Sequence, residues 1–328
     1  MANVPCRVVA VGAGRMGRGI AHMFAYAGYP VTLLDMKERD SRTFEALVGE
    51  ARAEIESTMN FLVSQDVMTS VQVARALQLI EIRSASEAPS VLADADVVLE
   101  GVRETVEAKT TVFAQISELV RTDTIIASTT SSMLVDELQA MVTAPNRFLN
   151  AHFLNPAYLI PLVEVSANEV TDEQVVETTI DLLKAIGKVP VRCSSVPGAI
   201  IPRLQSLLMA ECCRMVDEGV ASVAEIDKAI MNGFGPRYST MGVIEFIDWG
   251  GVDIFYYAGH HLAKALGSER HEPPPEVEQM MKDGRRGMRE GQGYYDFRDI
   301  DVEAFQREKL TRFVTLLRGL DKIPAPGV

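Results

Sequence analysis

The sequence predicts an α/β chain: a doubly wound, largely parallel sheet followed by a separate all-helical C-terminal domain. Three observations predict it. Up to about Cys193, short apolar strand-like runs alternate with segments whose apolar residues recur every 3.6 positions. The first of these units, Arg7 to Asp35, places a glycine-rich turn between its strand and its helix. Beyond Pro197 the strand-like runs stop and only helical stripes remain. The expected division is therefore residues 1–193 and residues 194–328.

The first strand is Val8 to Val11. Gly12, Gly14 and Gly17 follow at G-x-G-x-x-G spacing, with Arg15 and Met16 between them, and Ile20, Ala21, Phe24 and Ala25 continue at helical period. A second strand, Val31 to Leu34, ends in Asp35, eighteen residues past Gly17. Gly12 makes the tight turn. Gly14, lacking a Cβ, lets a pyrophosphate approach the backbone, and Gly17 lets the helix pack close to the strand. The Asp35 carboxylate accepts hydrogen bonds from an adenosine ribose and repels a 2′-phosphate, so NAD is expected rather than NADP. A glycine trio alone is a weak signal. Strand, turn, helix, strand and terminal acid within about thirty residues form the Rossmann-type βαβ unit that binds a dinucleotide.

Ser41 to Ser64 carries a helical stripe (Phe44, Leu47, Val48, Ala51, Ile55, Met59, Leu62) and pairs with a second helix near Val71 to Leu77 as a hairpin. Leu79 to Arg83, Val97 to Glu100 and Thr124 to Ala127 read as strands, with a helix near Ala108 to Val120 between the last two. Arg147 to Phe153 and Leu162 to Ser166 are strand-like, split by a loop carrying Pro156 and Pro161. Thr171 and Gln174 suggest a capping box opening a helix to Lys184, which Gly187 ends, and Val189 to Cys193 is a last strand. In the second domain Pro202 to Asp217, Val223 to Met231 and Ile254 to Leu266 each present an apolar helical face. Faces this apolar on so small a unit point to burial against another subunit. The tail from Lys322, with Pro324 and Pro326, is expected to be loose.

Composition narrows the function. The 328 residues are 47% hydrophobic, as in a globular chain. A net charge of −13 argues against a nucleic-acid partner. No run approaches the length of a membrane span, and Met1 to Arg7 lacks the apolar core of a signal peptide, so a soluble cytoplasmic protein is expected. Cys6, Cys193, Cys212 and Cys213 have no metal-ligand spacing and read as buried or half-buried thiols. The histidines form no H-x-x-x-H face, and no metal site is expected.

Two residues stand out chemically. His152 lies at the end of a strand, in AHFLNP, on the edge where an α/β sheet binds ligands. There an imidazole can take the proton of an alcohol while hydride leaves the same carbon for a nicotinamide. Glu164, in the next strand (LVEVS), can reach back to orient that ring, and a carboxylate in an apolar run is costly unless paired. Alone, His152 reads equally well as a hydrogen-bonded structural histidine. Ser128 to Ser132 follow a strand on the same edge; Ser132 reads best as a cap or turn residue for the next helix. Glu104 and Lys109 fit either a surface helix pair or polar contacts to the nicotinamide ribose.

With these residues in place, the chain resembles the L-3-hydroxyacyl-CoA dehydrogenase family over almost its whole length. The resemblance rests on VGAGRMGRGIA, GVRETVEAKTTVF, IIASTTSSM, RFLNAHFLNPAYLIPLVEV, KVPVRCSSVPG, MGVIEFIDWGG and REGQGYYDF. The H-F-x-N-P motif with a glutamate twelve residues after its histidine is its most specific part. The resemblance implies that His152 is the base and Glu164 its partner. It implies that Ser131 contacts the substrate oxygen, that Glu104, Lys109 and Asn155 line the cofactor and reaction centre, and that the protein is a dimer. The implied substrate is a short-chain 3-hydroxyacyl-CoA. Two departures stand against this. Pro202 occupies the position where the family has a substrate-contacting asparagine, and no lysine lies between Ser41 and Leu79, where acyl-CoA members place lysines for the CoA phosphates. GFGPRYSTMG resembles the lambda-crystallin and L-gulonate 3-dehydrogenase branch, which acts on small free acids. Arg237 would then pair a substrate carboxylate, unless it only satisfies helix-end carbonyls. A non-catalytic, NAD-binding structural protein is the remaining alternative.

Overall fold

The computed structural model describes residues 7–323 and 325–327; the expectations for Cys6 and Pro324 lie outside the described residues. The chain forms two compact units, one reaching Met209 and one beginning at Ala210.

The first unit is built on eight strands: β1 (Val8–Val11), β2 (Val31–Leu34), β3 (Ile80–Arg83), β4 (Val97–Glu100), β5 (Ile125–Ser128), β6 (Phe148–Phe153), β7 (Leu162–Ala167) and β8 (Val189–Ser194). Between them run α1 (Arg15–Tyr26), α2 (Ser41–Ser64), α3 (Ser70–Gln78), α4 (Ala88–Ala93), α5 (Val106–Leu119), α6 (Val135–Gln139) and α7 (Glu173–Ala185), and α8 (Ile201–Asp217) follows. The strand order is β3-β2-β1-β4-β5-β6-β7-β8. All neighbours pair in parallel except β6 and β7. The chain turns from one side of β1 to the other after β3, so the crevice between β1 and β4 is the switch point where such sheets bind ligands.

The alternation of side chains along each strand divides the core in two. On β1, Val8 and Ala10 join the cluster holding α1, α2 and α7, while Val9 and Val11 join the cluster holding α4 and α5. A parallel sheet covered on both faces needs apolar residues at every position, which is why these strands read as unbroken runs. Each fully buried Leu, Ile or Phe contributes about 1.5–3 kcal/mol.

Two local readings are corrected. Thr171 does not cap α7: its hydroxyl donates to the Phe148 carbonyl (2.8 Å), and Asp172 stands at the helix entry without a side-chain cap. Nor does Ser132 cap α6, whose N-cap position is Leu134. The turn before it is made by Thr130, whose Oγ1 accepts from the amides of Ser132 and Met133.

The second unit holds α9 (Val223–Ala229), α10 (Gly235–Tyr238), α11 (Val243–Gly250), α12 (Val252–Leu266), α13 (Pro275–Asp283) and α14 (Val302–Gly319). α9 ends two residues short of expectation because residues Ile230–Phe234 wind as a π-turn. Asp248, buried on α11, accepts from the amides of Tyr294 and Tyr295 (2.9 and 2.8 Å). A Cβ on Gly293 would lie 2.1 Å from the same carboxylate, so only glycine fits there. The IEFIDWGG and GQGYYDF segments are therefore two halves of one hydrogen-bonded closure. No helix among the described residues is long and apolar enough to cross a membrane. Cys213 is exposed rather than half-buried, and Cys193 and Cys212 are half-buried free thiols.

Candidate active site

The glycine turn has the shape its spacing implies. Gly12 adopts φ +103°, and a Cβ there would sit 2.9 Å from the Gly101 carbonyl oxygen. A Cβ on Gly17 would sit 1.9 Å from the Gly12 carbonyl oxygen, so α1 can lie this close to β1 only with glycine. A Cβ on Gly14 would meet nothing within 4 Å: the turn is open on the side where a pyrophosphate would approach the amides opening α1. Asp35, buried after β2, is paired with Arg39 and sits where a ribose would be held. These residues fit a bound dinucleotide.

Next to the switch point lies a charged cluster that the sequence only half disclosed. Lys109 on α5 is 1% exposed, so it is not half of a surface pair. Its ammonium donates to both oxygens of Glu100 (3.0 and 2.8 Å) and to Ser128 Oγ (3.3 Å), and lies 3.3 Å from Glu104. Glu100 ends β4 and is fully buried; sequence reasoning passed over it, although a carboxylate closing VVLE nine residues before a lysine is its signal. Glu104 Oε1 in turn accepts from Thr130 Oγ1, from Ser132 Oγ (3.0 Å) and from the Ser131 amide (3.2 Å). Burial pushes the Glu104 carboxyl up, but the Thr130 and Ser132 hydroxyls and the Lys109 charge together hold it below the usual carboxylate range. One carboxylate thus ties α5's entry to the loop carrying Ser131.

The antiparallel pairing of β6 and β7 places His152 directly opposite Glu164. His152 Nδ1 and Glu164 Oε2 are 2.8 Å apart, with Glu164 0% exposed. The other Glu164 oxygen accepts the amides of Ile200 and Ile201 (2.9 and 2.7 Å), where α8 begins. Since Glu164 only accepts, Nδ1 carries the imidazole proton, leaving the Nε2 lone pair for a substrate. His152 and Ser131 line one cleft, with Asn150, Ser166 and Pro202, whose free space of about 20 Å³ matches a single water-sized group.

Asn155 lies elsewhere. It lines a larger cavity of about 320 Å³, with Arg15, His22, Ile55, Thr58 and Tyr158, between α1, α2 and the β6–β7 loop. His22 is buried there, stacked on Tyr158 at 4.8 Å, and burial together with the Lys188 charge pulls its pKa down to about 4. Arg237, in the second unit, stacks over the Phe246 ring at 4.3 Å and makes no ion pair among the described residues. No group of histidines, cysteines and carboxylates among the described residues has the arrangement of a metal site.

Comparison with known proteins places the chain in a family. Residues 7–196 match the model of the 3-hydroxyacyl-CoA dehydrogenase NAD binding domain, and residues 198–297 match that of the 3-hydroxyacyl-CoA dehydrogenase C-terminal domain. A 3-hydroxybutyryl-CoA dehydrogenase of Mycobacterium tuberculosis is 31% identical over 299 residues, 90% of this chain and 100% of the relative. A 5-formyl-3-hydroxy-2-methylpyridine 4-carboxylate 5-dehydrogenase of Mesorhizobium japonicum is 29% identical over 315 residues, 96% of this chain and 98% of the relative. The solved structure of a 3-hydroxyacyl-CoA dehydrogenase from Archaeoglobus fulgidus superposes with TM-score 0.76 at 28% identity, covering 96% of this chain and 99% of that one. With both of its domains matched in order, this chain belongs to the 3-hydroxyacyl-CoA dehydrogenase family of NAD-dependent oxidoreductases.

Proposed function

We propose that the protein oxidises the 3-hydroxyl of a short-chain L-3-hydroxyacyl-CoA to the 3-oxo product, with His152 as general base. The observation that carries this is the buried His152–Glu164 pair, set face to face by strand register and fixed from behind by the Ile200 and Ile201 amides at the entry to α8. NAD, when bound, supplies the hydride acceptor at nicotinamide C4. His152 Nε2 takes the hydroxyl proton, and Glu164 steadies the imidazolium that forms. Ser131, exposed on the cleft and anchored through its amide to Glu104, presents its hydroxyl to the reacting oxygen. Gly12, Gly14, Arg15, Met16 and Gly17 form the turn for the pyrophosphate and Asp35 takes the ribose, with Glu104 on the nicotinamide side and the buried Lys109 behind it; Asn155 belongs instead to the separate cavity beside Arg15.

The cavity shared by Arg15 and Asn155 gives the thioester arm an apolar bed against α2. A second reading, a small free hydroxy acid, is favoured by Arg237, whose guanidinium has no carboxylate partner among the described residues, and by the lysine-free hairpin. Following NADH formation with 3-hydroxybutyryl-CoA, L-gulonate and free 3-hydroxybutyrate separates the two. Turnover of the thioester at least tenfold above either acid supports the first reading; the reverse order replaces it with the second.

We also propose a homodimer through the helical domain, supported by the exposed Val223, Met231, Ile254 and Tyr257. The free thiols fit a reducing compartment such as the cytoplasm.

A further inference from the structure

Asn150 stands two residues before His152 on the same face of β6 and lines the same cleft. Its side chain is almost enclosed, with the residue 7% exposed. One amide hydrogen of Nδ2 is spent on the Thr130 carbonyl oxygen (3.1 Å). Oδ1 is buried with no hydrogen-bond partner among the described residues, and Nδ2 keeps a second hydrogen. A buried amide carbonyl left unpaired is costly, so a primary amide at this place calls for a partner that none of the described residues provides. The cleft in front of it has room for about one oxygen-sized group and is shared with His152 and Ser131. Pro202, which offers neither a side-chain amide nor a backbone donor, is on the wall of the same cleft.

We propose that Asn150 is a catalytic residue of this chain: its carboxamide contacts the reacting C3 oxygen, supplying from β6 the amide that Pro202 cannot supply from α8. The carbonyl end accepts a hydrogen bond from the hydroxyl of the alcohol as it binds, and the hydroxyl then turns its hydrogen to His152 Nε2, which takes the proton. The free N–H donates to the oxygen as it becomes a ketone. The tether to Thr130 fixes the amide plane and ties Asn150 to the loop that carries Ser131. The proposal rests on His152 being the base but not on the identity of the acyl carrier, because the contact is made to the atom that reacts.

The test compares Asn150→Gly, Asn150→Gly/Pro202→Asn and His152→Gln on whichever hydroxy substrate the wild type oxidises. Loss of a preorganised contact to the reacting oxygen is worth about 10²-fold, so kcat/KM of Asn150→Gly should fall about a hundredfold, mostly in kcat. Restoring an amide at the other wall should return at least tenfold of that loss, which a merely structural role for Asn150 would not allow. NADH affinity, read by fluorescence titration, should stay within twofold in both. Wild-type kcat/KM in Asn150→Gly, or no recovery in the double variant, overturns the proposal. If His152→Gln retains activity, the base itself is wrong, a distinct failure. Should Asn150→Gly not fold, the side-chain amide resonances of wild-type Asn150 decide: they shift on adding acetoacetyl-CoA or acetoacetate to the NADH complex, or the contact does not exist.

Discussion

Single side chains in this protein are held by what burial costs them. His22 is the simplest case. Unfolded, its imidazole titrates near the ordinary 6.5; folded, it titrates at about 4. At pH 7 both states are neutral and nothing is lost. As the pH falls below 6.5 the unfolded chain takes up a proton that the folded one refuses, so stability declines until about pH 4. By pH 5 the deficit is about 2 kcal/mol, at about 1.4 kcal/mol per pH unit. Urea unfolding at pH 7 and pH 5 should show that loss in the wild type and its disappearance in His22→Gln; equal slopes would mean the imidazole is already protonated in the fold. The Glu100–Lys109 pair obeys the same logic with charges. Glu100→Gln leaves the buried Lys109 ammonium with only the partly exposed Glu104 carboxylate as a charge partner, so it should lower stability by up to about 3–5 kcal/mol. Glu100→Gln/Lys109→Met should recover most of it in the same denaturation assay.

At the scale of elements, the strands and the first helix were legible because burial on both faces forces apolar runs, and because glycine is demanded where backbones nearly touch. Gly17→Ala makes that demand measurable. Its Cβ would fall 1.9 Å from a backbone oxygen that no rotamer change can move, so α1 must shift away from β1. NAD affinity should drop at least tenfold, with a lowered Tm; wild-type values in both would show that the turn yields easily. What the sequence hid were choices among equivalent polar neighbours. Thr130 rather than Ser132 makes the turn before α6, and Thr171 donates to Phe148 instead of capping α7, because a hydroxyl within reach of a strand carbonyl has no local pattern to reveal it. The His152–Glu164 pairing could be suspected from chemistry. Its directly opposite register comes from the antiparallel pairing of β6 and β7, while the Ile200 and Ile201 amides behind Glu164 and the unpaired carbonyl of Asn150 are long-range placements with no local sequence pattern.

For the whole molecule, the two units use one principle to different ends. The first encloses its apolar residues in two layers around the sheet. In the second, Val252, Val277 and Met280 form a small buried cluster, while Ile254, Tyr257, Val223 and Met231 remain 61–67% exposed. The proposed dimer would cover these exposed apolar residues. Light scattering after gel filtration should therefore give twice the chain mass of 36.0 kDa, and Ile254→Glu should reduce it to the monomer. A wild-type monomer at micromolar concentration would remove the dimer.

The central claim concerns the imidazole opposite Glu164, and its most direct test is the rate of NADH formation by His152→Gln against the wild type. The account predicts a fall of about two to four decades in kcat with NADH affinity preserved, the worth of a positioned base. A rate within threefold of the wild type would contradict it.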